Sequence, residues 1–145
     1  MITDEQTNFL YLADTLPEMY PTFFKRFENI LQASNVEFNF LPDTKDVWAV
    51  DYMPLQIEAD KFVRFLYQPP YLTKSKKSVK TISDVDKICN HIGIETTRTN
   101  IILDGGNIVR SNNKVIMTDR IFIDNPKLEF ESWIRLVGYY QSYNK

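Results

Sequence analysis

Asp46-Val47-Trp48-Ala49-Val50-Asp51-Tyr52-Met53-Pro54 and, further along, Leu103-Asp104-Gly105-Gly106-Asn107-Ile108-Val109 are the two stretches on which the reading of this chain turns. The first sets a carboxylate beside an indole in apolar surroundings. That pairing suits a planar cation, because the carboxylate supplies charge and two acceptors and the ring supplies a π face. The second places Asp104 ahead of paired glycines, which let backbone approach a ligand closely or take positive φ. Bland readings stand beside both: Asp104-Gly105 as a simple turn, and Trp48 as a core residue.

The flanks of both stretches follow one pattern. Ahead of the first, Phe23, Phe24, Phe27, Ile30 and Leu31 recur at helical spacing after Pro21, a residue suited to a first helical turn. That helix is expected to end near Ser34-Asn35. Thr15-Leu16-Pro17-Glu18 resembles a capping box for an earlier short turn. Val36 to Leu41 alternates as a strand with one buried face. Gln56 to Tyr67 reads as a hairpin with its tip near Glu58-Ala59-Asp60-Lys61. Ahead of the second stretch, Ser83-Asp84-Val85-Asp86 opens a helix that Gly93 closes. Ile94 and Ile101-Ile102-Leu103 suggest strand. Ile108 to Thr118, turning at Ser111-Asn112-Asn113, reads as a second hairpin. Helix, strand, loop with an aspartate, then hairpin thus occurs twice, a weak internal repeat with Asp51 and Asp104 in the same place. Phe130, Trp133, Ile134 and Val137 predict a further amphipathic helix, the opening of a third unit. Such units need sister units to bury their faces.

The 145 residues carry 17 Lys+Arg and 19 Asp+Glu, a formal net charge of −2. At roughly 150 residues per domain the length fits one domain or two small ones. The near-neutral balance argues against a protein built mainly to hold nucleic acid or anionic membrane. Lys74, Lys76, Lys77 and Lys80 form a basic stretch, read as a phosphate or acidic-partner patch or as a solvated loop between modules. One Cys excludes an intrachain disulfide and any multi-Cys zinc site, and one His excludes a His-rich metal site. No stretch approaches the roughly 18 apolar residues of a membrane span, and the polar start is no secretory signal, so the expectation is a cytoplasmic, soluble protein.

The two stretches resemble the agmatine deiminase and bacterial-type peptidylarginine deiminase family, within the guanidino-group-modifying (pentein) superfamily. That family shows an Asp-x-Trp-x-Arg-Asp-x-x-Pro motif and then an acidic-Gly-Gly-Asn motif leading into a hairpin. Here the first reads Asp46 to Pro54. The second is Asp104-Gly105-Gly106-Asn107, followed by Val115-Ile116-Met117-Thr118-Asp119. The resemblance implies an α/β fold: a partial propeller of ββαβ modules around a pseudo-fivefold axis, with substrate in a central channel. Module one would run about 15–68, module two about 81–123, and a third would start over about 124–145. The chain would be the N-terminal portion of a single deiminase-like domain.

The resemblance also implies the chemistry. A Cys thiolate attacks the guanidinium carbon, ammonia leaves, and water hydrolyses the thiouronium intermediate to a ureido group. A His moves protons, and no cofactor or metal is needed. By position, Asp51 would grip the guanidinium and Trp48 would wall the pocket. Asp104 would be the second acidic residue of the catalytic site, and Gly105, Gly106 and Asn107 would line the channel. The substrate would be a small guanidino compound or peptidyl-arginine.

Two departures from the family pattern matter. Its Arg before the motif aspartate is Val50 here, and its nucleophilic Cys and its His lie in later modules than any present. Cys89 and His91 sit two apart on a predicted helix, facing apart, and fit structural roles. The reading is therefore a truncated deiminase-like fragment, inactive alone. Two alternatives are a non-catalytic guanidinium-binding module and a self-assembling unit completed by a second copy or by a complementing C-terminal chain.

Overall fold

A computed structural model of the chain describes residues 2–3, 6–111 and 114–132. In chain order the elements are β1 (Leu10–Ala13), α1 (Leu16–Met19), α2 (Pro21–Ala33), β2 (Phe38–Leu41), α3 (Ala49–Tyr52), β3 (Leu55–Glu58) and β4 (Lys61–Leu66). They continue with α4 (Pro70–Thr73), α5 (Lys76–Val79), α6 (Val85–His91), β5 (Thr96–Ile102), a 3-10 helical turn over Gly105–Asn107, β6 (Ile108–Ser111), β7 (Lys114–Met117) and α7 (Arg120–Asp124). The architecture is mixed α/β with several small sheets, and no closed barrel forms among the described residues.

The sheets are β1-β2, parallel; β3-β4-β5, with β4 central; and β6-β7, antiparallel. β4 is antiparallel to β3 and parallel to β5, so Leu55–Ile102 traces hairpin, helix, strand. Parallel neighbours require a crossover. Helix α2 supplies one between β1 and β2, and α6 supplies one between β4 and β5. Sheet pairing between β4 and β5 therefore crosses the gap between the two sequence units.

Local chemistry accounts for most of these elements. Helix α2 starts at Pro21 and lays Phe24 on the first sheet, where its ring meets Phe38 at 6.2 Å and Phe40 at 5.7 Å. Helix α6 is capped by Asp84, whose carboxylate accepts from the Lys87 backbone N–H at 3.2 Å, and it ends before Gly93 at φ +71°. Two apolar clusters result. One joins Ile57, Val63, Phe65, Leu103 and Ile121. The other joins Leu41, Tyr52, Val85, Ile88 and Cys89.

Several details depart from the sequence expectation. Strand β1 carries no strong pattern of its own and exists because β2 offers it an edge. Thr15 does not cap α1 with its side chain; its hydroxyl pairs with that of Thr44 at 3.2 Å. Thr44 in turn donates its hydroxyl to Asp14, whose other carboxylate oxygen accepts from the Asp43 N–H at 2.7 Å. Strand β5 begins at Thr96, ahead of the apolar run, because Thr96, Thr97 and Arg98 pair with Phe62, Val63 and Arg64 of β4; Arg98 also reaches Asp86 at 3.0 Å and shares it with Arg64 at 2.5 Å. The lysine-rich stretch folds as two short turns, α4 and α5, that leave Lys74, Lys76 and Lys80 exposed. The amphipathic helix expected from Phe130 to Val137 lies, from Trp133 on, outside the described residues, as do Asn112 and Asn113 of the second hairpin's turn.

Ile88 is fully buried in the second cluster. Ile88→Ala is expected to lower unfolding free energy by about 2–5 kcal/mol. Ile30→Ala, at a position 61% exposed, should change it by no more than about 0.5 kcal/mol. Urea titration of the two variants against the parent chain reads both.

Candidate functional site

The two sequence stretches meet. After β2 the chain turns, and Asp46 accepts from the backbone N–H of Trp48 at 2.9 Å, which sets the entry into α3. Asp51 sits in the first turn of that helix. Tyr52, on the buried side, donates its hydroxyl to the Asp46 carbonyl at 2.9 Å and closes the loop onto the core. Asp104 immediately precedes the 3-10 turn Gly105–Asn107, which lies against α3. The Gly106 N–H donates to Asp51 Oδ1 at 3.1 Å.

The glycine pair makes this contact sterically possible. A Cβ on Gly105 would strike the Val50 carbonyl oxygen, and a Cβ on Gly106 would strike Asp51 Oδ1. Neither glycine has positive φ. Close approach, rather than backbone freedom, is what demands glycine at both places.

Asp51 and Asp104 are both half-buried. Burial pushes the Asp51 carboxyl above the ordinary carboxylate range, the Gly106 N–H offsets part of that, and Asp46 adds to it. Burial also pushes Asp104 up, and the negative charges of Asp51 and Asp124 push it further, against a smaller pull from Arg120. Arg120 is committed to Asp124, its Nε donating at 2.7 Å. Tyr67 belongs to the same neighbourhood. Its hydroxyl lies 3.5 Å from that of Tyr71 and its ring packs 5.9 Å from Tyr52. Burial, that hydroxyl neighbour and the charges of Asp51 and Asp104 all hold the Tyr67 phenol protonated. The sequence had offered Tyr67 only as a strand residue. No spacing rule ties the end of one hairpin to an aspartate on the next, so only the fold reveals it.

The other candidates fall as follows. Trp48 is 61% exposed at the mouth of α3, which excludes a core role. Asn107 is occupied structurally: its Oδ1 accepts from the Thr118 hydroxyl at 2.9 Å and backbone N–H at 3.2 Å, clipping the 3-10 turn to the far end of the hairpin. Val50 is 63% exposed. It faces an open groove of about 740 Å³ whose walls include Met53, Leu55, Phe62 and Ile108, and Gly105 also borders it. Asp51 and Asp104 are not among the groove's lining residues. Cys89 is 2% exposed on α6, and burial pushes its thiol pKa up; His91 is exposed two residues on. No group of three or more His, Cys, Asp or Glu suited to hold a metal ion occurs among the described residues. No helix among them is long and apolar enough to cross a membrane.

No family model matches the sequence, and no curated protein matches it. Solved structures do. This chain is similar in fold to an agmatine deiminase. The agmatine deiminase of C. jejuni superposes with a TM-score of 0.61 at 17% identity, over 92% of this chain and 51% of that one. At that identity the likeness is one of fold. The chain spans about half the length of the deiminase it matches.

The carboxyl shifts have a definite sign. Asp104 holds a proton more tightly folded than unfolded, so stability is greatest in acid and falls as pH rises from the unfolded pKa through the folded one. Asp104→Asn removes that loss. Its melting temperature should exceed the parent's at pH 7, and the gain should vanish near pH 3. Gly106→Ala, which forces the Asp51 carboxylate aside, should melt below the parent at both. A scanning-calorimetry pH series compares all three chains.

Proposed function

We propose that this chain binds guanidino compounds through a deiminase-like acidic site, with Asp51 and Asp104 as the acceptors and Trp48 as an exposed ring at its edge. One observation carries the reading: the Gly106 N–H to Asp51 hydrogen bond, which docks the two motifs onto each other and leaves two carboxylates half-buried in mutual repulsion. A guanidinium answers that arrangement. It is planar and stays charged at all accessible pH, and its fork of N–H donors matches carboxylate oxygens in pairs. The fold likeness supports it, since the C. jejuni protein is an agmatine deiminase.

Binding, rather than turnover, is the activity proposed for this stretch of chain. Hydrolysis of a guanidino group through a thiouronium needs a thiolate and a proton-moving base within reach of the carbon. Cys89 is buried in the second apolar cluster with its thiol pKa raised, and His91 points elsewhere on α6. The unit from which we propose the site is built is ββαβ, traced here by β3, β4, α6 and β5, with β6-β7 opening the next. In a propeller of such units each acidic turn would sit where one unit hands over to the next. That ββαβ unit is offset from the ones proposed from the sequence (about 15–68, about 81–123 and a third from about 124), because β4 of the first pairs with β5 of the second.

Isothermal titration with agmatine tests the reading. The parent chain should bind, and Asp51→Asn and Asp104→Asn should each weaken binding about tenfold or more, the scale of a lost charge-assisted hydrogen bond. Binding should fall as pH drops through the raised carboxyl range, because the protonated acids lose their charge. Heat equal to dilution in the parent, or affinity unchanged in both variants, would sink the proposal. Ammonia release by the parent that survives Cys89→Ala would overturn the statement on turnover.

A further inference from the structure

Helix α2 is apolar on two sides. Phe24 and Leu31, seven residues apart, turn inward: Phe24 meets Phe38 and Phe40 of the first sheet, and Leu31 is 6% exposed. Phe23 and Ile30, also seven apart, lie about 100° away round the helix and are 56% and 61% exposed. Phe27 stands between them, its ring stacked on that of Phe23 with centroids 5.6 Å apart. These three follow at i, i+4 and i+7, so they form one continuous stripe. Met19 and Tyr20, both half exposed, lead into the same helix. A surface helix ordinarily gives its outer side to polar residues. An apolar stripe in that place marks a contact surface.

The stripe has relief. Between the row Phe23–Phe27 and the row Thr22–Arg26–Ile30 runs a shallow trough of about 410 Å³, lined by those five residues. Both rows step by four residues, so ridge and trough share one pitch. Two helices that set such ridges into each other's grooves cross at about −50°. A face with a ridge beside a groove of equal pitch fits its own copy turned about a two-fold axis, which is what an isologous contact requires. The stacked Phe23–Phe27 pair is held in place beforehand, so docking has little freedom left to remove.

Length and charge narrow the occupant. Helix α2 has 13 residues, whereas the next longest helix among the described residues, α6, has seven, with Ile88 and Cys89 committed to the second cluster. Only another α2 offers a ridge of matching length among these helices. An anionic lipid surface fits poorly: Lys25, Arg26 and Glu28 leave α2 a single net positive charge, where helices that lie on membranes carry a strongly basic polar face. We propose that two copies of this chain associate through α2, antiparallel about a two-fold axis, the Phe23–Phe27 ridge of each seated in the trough of the other. Arg26 walls the trough with its stem and keeps its guanidinium in water. The face is small, so the dimer is reversible and depends on concentration. The proposal rests on α2 and not on the guanidinium site, so either can fail alone.

Sedimentation equilibrium of the full chain over a concentration series tests it. The mass should rise from that of one chain to that of two and stop there. Phe23→Asp should abolish the rise, because it sets an unpaired carboxylate in an apolar contact. In case that variant misfolds by far-UV dichroism, Ile30→Ala decides: it leaves the dilute monomer's stability nearly unchanged, and it should weaken association about tenfold. The proposal is overturned if the parent remains a single chain up to its solubility limit. It is equally overturned if the mass climbs past two chains, the mark of a head-to-tail contact. Association as strong in the folded variants as in the parent would place the contact on another face and sink it as well.

Discussion

The contact of a glycine pair with one helical turn organises this molecule. Gly105 lies on the Val50 carbonyl and Gly106 on the Asp51 carboxylate, at a separation any side chain would prevent. Both apolar clusters abut that contact. Leu103, two residues before Gly105, belongs to the first cluster, and Tyr52, one residue after Asp51, belongs to the second. Hydrogen bonding through β3-β4-β5 ties the same halves together from the other side. The two aspartates thus lie where the two sequence stretches are joined. The residues that seal the joint are the neighbours of those that carry the charge.

That position explains the electrostatics. A carboxylate at a packed joint is partly stripped of water, and burial is the largest influence on both Asp51 and Asp104. A single N–H from Gly106 compensates Asp51, whereas the strongest nearby cation, Arg120, is already paired with Asp124. The site is left with more negative charge than the protein itself satisfies. An arrangement of this kind costs stability at neutral pH.

Much of this was legible in the sequence where one residue's neighbours in the chain determine its role. Helix α2, helix α6 with its Asp84 cap and Gly93 stop, and both hairpins follow from periodicity and punctuation within a few residues. The repeat placed Asp51 and Asp104 in equivalent positions before either was seen in space. What was not legible depends on partners far along the chain. Strand β1 is held by β2 across α2, the start of β5 is set by its pairing with β4, and Tyr67 comes near two aspartates only through sheet pairing. Asn107 had a motif position that suggested a ligand, yet its amide holds Thr118, a bond no local pattern encodes.

Position 50 bears on how such a site could be retuned. Val50 gives the joint its carbonyl, a group every amino acid carries alike, while its side chain stands in open water beside the groove. The frame therefore places no demand on what that side chain is. The contact with Gly105 is made by backbone, so it does not depend on the side chain at this position. Gly105 and Gly106, locked by fit, have no such latitude.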